Sequence, residues 1–184
     1  MSNSRRQSVV RVSEALFLDQ FEKVANLPIA WRLTAESLLR AARVLVPMME
    51  EDSRAAFDPA TEHPEHPVGP VYMMLAGFAV ENLTKALIIE KDASPVTKGG
   101  ALVLLKTHDL IDLLDQAGLT LSEEAWYLAE RLEAFLWAGR YATATNVEAQ
   151  LPRTHPQGGW GSLTHIVSSD PEDIETLVGK LTPD

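Results

Sequence analysis

The segment Val71 to Lys91, VYMMLAGFAVENLTKALIIEK, constrains the fold of this chain more than any other, because it is apolar on nearly every side of a helical projection. A helix that is hydrophobic all round belongs in the middle of a bundle, where other helices cover it. Pro70 suits its first turn and SPVTKGG breaks the chain after it. Its longest apolar run, Val71 to Val80, is too short to span a bilayer. The few interior polar residues, Glu81, Asn82, Thr84 and Lys85, therefore need partners inside the protein. Glu81 and Lys85 stand at i,i+4 in the favourable order and share a face with Met74, Phe78 and Ile88, so the pair is expected to meet protein.

The remaining segments supply helices to surround it. Val10, Phe17, Phe21 and Val24 recur at helical spacing up to Leu27-Pro28. Trp31, Ala35, Leu38, Ala42 and Leu45 form one face of a second amphipathic helix, expected to end at Pro47. Residues 48–69, with prolines at 59, 64 and 67, read as a long loop. Thr107 is the expected N-cap of a helix through Ala117, stopped by Gly118. Ser122 opens the next helix, with Ala125, Leu128, Leu132, Phe135 and Leu136 as its buried stripe. From Gly139 to about Ser169 the pattern fails and a second long loop is expected, without a convincing strand pair. A last helix starts with Asp170 as cap and Pro171 in the first turn, and aligns Ile174, Leu177, Val178 and Leu181. The expected architecture is an all-α bundle: a flexible tail over residues 1–8, then a single domain over 9–184.

Composition narrows the function. With 16 basic against 26 acidic residues the net charge is −10, which disfavours strong nonspecific nucleic-acid binding but permits a local basic pocket. The absence of cysteine removes disulfides, thiolate nucleophiles and Cys-based zinc sites. No metal or other cofactor is called for. The N-terminal stretch is broken by Arg11, Glu14 and Asp19 before it could form a signal core, so a cytoplasmic protein with no membrane association is expected.

Three places carry candidate chemistry. The first is the Glu81/Lys85 pair. The second is KTHDLIDLL, residues 106–114, which sets His108 beside Asp109 at a helix opening. Leu110, Leu113, Leu114 and Ala117 form the apolar stripe there, and His108 falls opposite its centre, beside Asp112 and Asp115. Periodicity alone leaves this histidine exposed, unless the central helix covers the second face. Near a helix N-terminus a neutral imidazole would serve as a base or hydrogen-bond acceptor, whereas Asp109 is sufficiently explained by its place in the first turn. The third is WAGRY, residues 137–141, where Arg140 and Tyr141 follow a helix-ending glycine and the guanidinium fork suits a phosphate or carboxylate. EHPEH, with His63 and His66, does not complete a metal site, and GGWG reads as a turn around Trp160.

Taken in order, GFAVENLTKALII, KTHDLIDLL and LAERLEAFLWAGRY resemble the HEPN superfamily of nucleotide-binding helical domains, over about residues 70 to 142. The resemblance implies an up-and-down antiparallel bundle, commonly a homodimer, with links to RNA cleavage, toxin–antitoxin pairs or antiviral defence. Ribonucleases of that superfamily use an arginine, a polar residue directly after it and a histidine a few residues later, without metal. Arg140 matches the arginine, but Tyr141 follows it and Asn146 stands near the place of the histidine. The expectation is therefore a noncatalytic HEPN-like protein. Its polar pocket of Glu81, Asn82, Lys85, His108, Arg140 and Tyr141 would bind a nucleotide, RNA or a partner protein. The alternatives are a metal-independent ribonuclease using His108 and Arg140 as catalytic residues, and a structural assembly protein.

Overall fold

The computed structural model describes residues 16–17, 19–58, 60, 67–91, 107–138, 153–154, 160–161 and 169–182. These residues form an all-helical bundle with one minimal β ladder. The helices are α1 (19–25), α2 (Pro28–Phe57), α3 (Gly69–Lys91), α4 (Leu110–Gln116), α5 (Glu123–Ala138) and α6 (Asp170–Leu181). In the ladder, β1 (Arg153–Thr154) pairs antiparallel with β2 (Trp160–Gly161), aligning Arg153 with Gly161 and Thr154 with Trp160. Two residues per strand leave too short an alternation to read from sequence, and the bundle remains all-helical in its architecture.

α3 lies at the centre and contacts α2, α4, α5 and α6. Tyr72, Met73, Ala76, Ala79, Val80, Leu83 and Leu87 of this helix all belong to the main core. Its length and apolarity would suffice to cross a bilayer, yet 72% of its most apolar window is buried inside this bundle, as for the core helix of a globular fold. α5 approaches it closely at Gly77, where an added Cβ would lie 3.0 Å from Leu136 Cδ2 and 3.1 Å from the carbonyl oxygen of Leu132.

α2 runs antiparallel to α3, because contacts join opposite ends of the two helices. Arg32 near the start of α2 donates to both carboxylate oxygens of Glu90 near the end of α3, each at 2.8 Å. Asp52 near the other end accepts from the backbone N–H of Val68, just before α3. α2 does not stop at Pro47 but continues to Phe57, so the expected loop at 48–69 begins ten residues late. A proline inside a helix removes a backbone donor and crowds the preceding turn. Here Ala35, Leu39 and Ala42 before it and Met49 after it are buried in the same core, so packing along α3 holds both halves in line.

The cap of α4 is also corrected. Asp109, not Thr107, occupies the N-cap and accepts from the N–H of Asp112 at 2.9 Å, while Thr107 Oγ1 accepts from Asp109 N–H one step earlier. Glu133 of α5 accepts a further first-turn N–H, that of Ile111. Gly118 ends the helix at φ 66°, as its glycine suggests, and Lys91 Nζ donates to the carbonyl of Ala117.

At α6 the expected cap is again displaced by one residue. Ser169 takes the N-cap position without a side-chain cap bond, and Asp170 turns inward to meet Arg131 of α5. The two side chains form a buried two-pronged ion pair at 2.7 and 2.6 Å. A cap residue that finds a buried guanidinium gains a charge-assisted pair of hydrogen bonds in place of a single cap bond.

Candidate functional site

The site is built where the second half of α3 meets the residues entering α4. Glu81 and Lys85, one turn apart, are both buried, and Lys85 Nζ donates to Glu81 Oε1 at 2.6 Å. The ammonium also donates to the backbone carbonyl of Thr107 at 3.0 Å and stands 5.7 Å from the centre of the Trp31 ring. All the attraction the lysine can offer is directed at protein.

Glu81 uses its second oxygen on the opening stretch of α4. Its Oε2 lies 2.9 Å from His108 Nδ1. His108 therefore turns toward the central helix instead of pointing to water, and it is half-buried. Its ring meets Phe78 edge-on at 5.9 Å between centroids and Trp137 edge-on at 5.4 Å. Edge-to-face geometry of this kind fixes the plane of the imidazole. With Nδ1 donating to Glu81, Nε2 is the remaining polar atom of the ring, and it makes no hydrogen bond among the described residues.

The sequence-derived candidates thus divide. Glu81, Lys85 and His108 come together around one carboxylate. Asn82 bonds back to the carbonyl of Phe78 on its own helix at 2.7 Å and makes no hydrogen bond with that trio. Arg140 and Tyr141 lie outside the described residues, as do His63, His66, His155, His165 and Asn146.

Two participants escaped sequence reasoning. Trp31 looks like a member of an amphipathic stripe, and its role over Lys85 depends on how α2 packs across α3. Trp137 falls at the end of the α5 stripe, and its contact with His108 joins residues 29 positions apart through the bundle. The Arg131–Asp170 pair was equally invisible, since Asp170 carries a sufficient local explanation as a helix-opening residue.

Chemically, the trio is a buried carboxylate neutralised by a buried ammonium and used to aim an imidazole. Of the three, only the imidazole has a ring or charged atom without a hydrogen bond among the described residues. Among the described residues no group of three or more His, Asp or Glu side chains is arranged to hold a metal ion. Comparisons with protein-family models, curated proteins and solved structures return no match to this chain.

Proposed function

We propose that this chain is a noncatalytic, HEPN-like up-and-down bundle that binds a nucleotide or the end of an RNA strand where α3 meets α4. The observation that carries the reading is His108: Nδ1 is anchored by a buried carboxylate while Nε2 has no hydrogen-bond partner among the described residues. Beside it Trp137 is 43% exposed, enough to offer an indole face for stacking. An imidazole nitrogen next to an exposed indole suits the edge and the face of a nucleobase. Arg140 and Tyr141, close after Trp137 in sequence, are the proposed contacts for a phosphate or ribose. Asp109 and Asp112 at the opening of α4 and Asp115 near its end, with the net charge of −10, favour a short ligand over a long phosphate backbone. The proposed settings, defence or a toxin–antitoxin pair in the cytoplasm, rest on the resemblance alone.

Calorimetric titration of the protein with adenosine monophosphate and with a short single-stranded RNA tests this reading. Saturable binding that is lost in His108→Ala and in Trp137→Ala supports it. Absence of binding to both probes, or binding indifferent to both substitutions, contradicts it.

A second reading draws on Lys85, which spends its ammonium on Glu81, Thr107 and Trp31 and faces no solvent. On that reading the trio only fixes the register of α4 on α3. Replacing Glu81 and Lys85 together by apolar residues of similar size, with folding and binding retained, favours it. The ribonuclease alternative uses the same imidazole as a general base, its ring oriented by Glu81. RNA cleavage in EDTA that disappears in His108→Ala and Arg140→Ala is its signature.

A further inference from the structure

The trio depends on Lys85, and Lys85 is held from a third direction. An ammonium carries three N–H donors. Two of them end on oxygen, at Glu81 Oε1 and at the carbonyl of Thr107, the residue next to His108. The third has no oxygen acceptor among the described residues, and what the ammonium meets besides these two oxygens is the ring of Trp31, 5.7 Å from its centre. With the lysine 1% exposed, no bulk water competes for that contact. Desolvation strengthens the attraction of a cation for an indole face.

Trp31 is itself fixed at a corner. Its Nε1 donates to the carbonyl of Ala25, the last residue of α1, at 2.9 Å. Its side chain packs on the small apolar cluster of Ile89 from α3 and Leu113 from α4. The indole therefore stands where the α1–α2 corner meets the two helices between which the trio lies.

Two routes lead from the ammonium to His108. One runs through the side chain of Glu81, whose second oxygen lies 2.9 Å from His108 Nδ1. The other runs through the backbone of Thr107. A lysine stem is flexible, so nothing in its own structure fixes the ammonium, and its partners do so instead. Removing the indole opens room on one side of the ammonium, and any displacement passes to a carboxylate and a carbonyl that both bear on the imidazole.

We infer that Trp31 is a positioning residue for His108: from the α1–α2 corner it sets the Lys85 ammonium and, through Glu81 and Thr107, the orientation of the imidazole. The effect on ligand affinity rests on the proposed binding of a nucleotide at His108, whereas the effect on the imidazole does not.

Substitutions at Trp31 separate this role from the filling of space. Trp31→Phe keeps an aromatic face for the ammonium and loses the bond to Ala25, while Trp31→Leu keeps apolar bulk and loses the face. Trp31→Met, with its adaptable side chain, is a second variant without the face, should Trp31→Leu not fold by circular dichroism. Ligand-free proteins labelled with 15N at histidine are compared by nuclear magnetic resonance. The His108 ring nitrogens are expected to stay near their wild-type resonances in Trp31→Phe and to move in the variants without the face. Affinity for adenosine monophosphate, by calorimetry, is expected to stay within about threefold in Trp31→Phe and to fall about tenfold in the others. His108 resonances that stay unmoved in a folded variant without the face, or that move equally in Trp31→Phe, overturn the inference. A wild type that does not bind adenosine monophosphate counts against the nucleotide reading, and the ligand-free spectra still decide the role of Trp31.

Discussion

Glu81 Oε2 lies 2.9 Å from Nδ1 of His108, and this contact ties the entry to α4 onto the central helix. The same carboxylate holds Lys85 with its other oxygen. A single buried acid therefore supports two basic side chains that differ in exposure, one sealed and one half-buried.

That sharing predicts an asymmetry among substitutions. Glu81→Leu leaves the Lys85 ammonium buried without its counter-ion and is expected to cost about 3–5 kcal/mol. His108→Ala leaves the Glu81–Lys85 pair intact and is expected to cost about 1 kcal/mol. Urea unfolding of the two variants checks the order, and equal losses would show that Lys85 does not depend on Glu81.

Arg131 and Asp170 make the corresponding prediction at the other buried pair, which joins α5 to α6. Arg131→Met removes the guanidinium from a fully buried carboxylate and is expected to destabilise by about 3–5 kcal/mol, whereas Arg131→Met with Asp170→Leu recovers most of that loss. Thermal melts of the single and double variants decide it. A double variant no better than the single one contradicts the pairing.

Glycines in two helices separate packing from propensity. Gly77→Ala places a methyl group against Leu136 and the backbone oxygen of Leu132, and is expected to destabilise by about 1–3 kcal/mol. Gly179→Ala meets nothing within 4 Å and is expected to stabilise α6 by about 0.5–1 kcal/mol. Opposite signs in chemical denaturation are the result to look for, and a stabilising Gly77→Ala contradicts the close approach of α3 and α5.

Tyr72 predicts a dependence on alkaline pH. Burial first, then the Asp170 and Glu175 carboxylates, raise the ionisation of its phenol well above the ordinary range. The unfolded chain releases this proton near pH ~10 while the folded chain keeps it. The contribution is thus fully present below about pH 10 and is lost as pH rises beyond it. Tyr72→Phe is expected to flatten the fall of stability with pH above about 10, measured by urea midpoints, and an unchanged slope opposes this assignment.

Much of the bundle follows from periodicity. The all-apolar pattern of Val71 to Lys91 gives the central helix, and the stripes of α5 and α6 give their buried faces, because burial imposes a helical repeat on sequence. Glu81 and Lys85 were legible as a pair for the same reason: charges on an apolar helix need partners. What local pattern could not give is anything decided across the bundle. Pro47 signals a stop, yet burial of Met49 in the core carries the helix past it. His108 lies off its own apolar stripe, yet the partner that turns it inward sits 27 residues earlier. Thr107 and Asp170 suit a cap by local pattern, but neighbouring side chains suit a helix start equally well, and the caps fall at Asp109 and Ser169.

The most direct test of the central claim, that His108 is aimed by Glu81 at a ligand, is a nuclear magnetic resonance titration of 15N-labelled protein with a short single-stranded RNA. The account predicts a shift of the His108 Nε2 and Trp137 indole resonances, with His108 Nδ1 still hydrogen-bonded, and loss of the Trp137 shift in folded His108→Ala. Resonances of both residues that stay unmoved while RNA binds elsewhere, or throughout the titration, would contradict it.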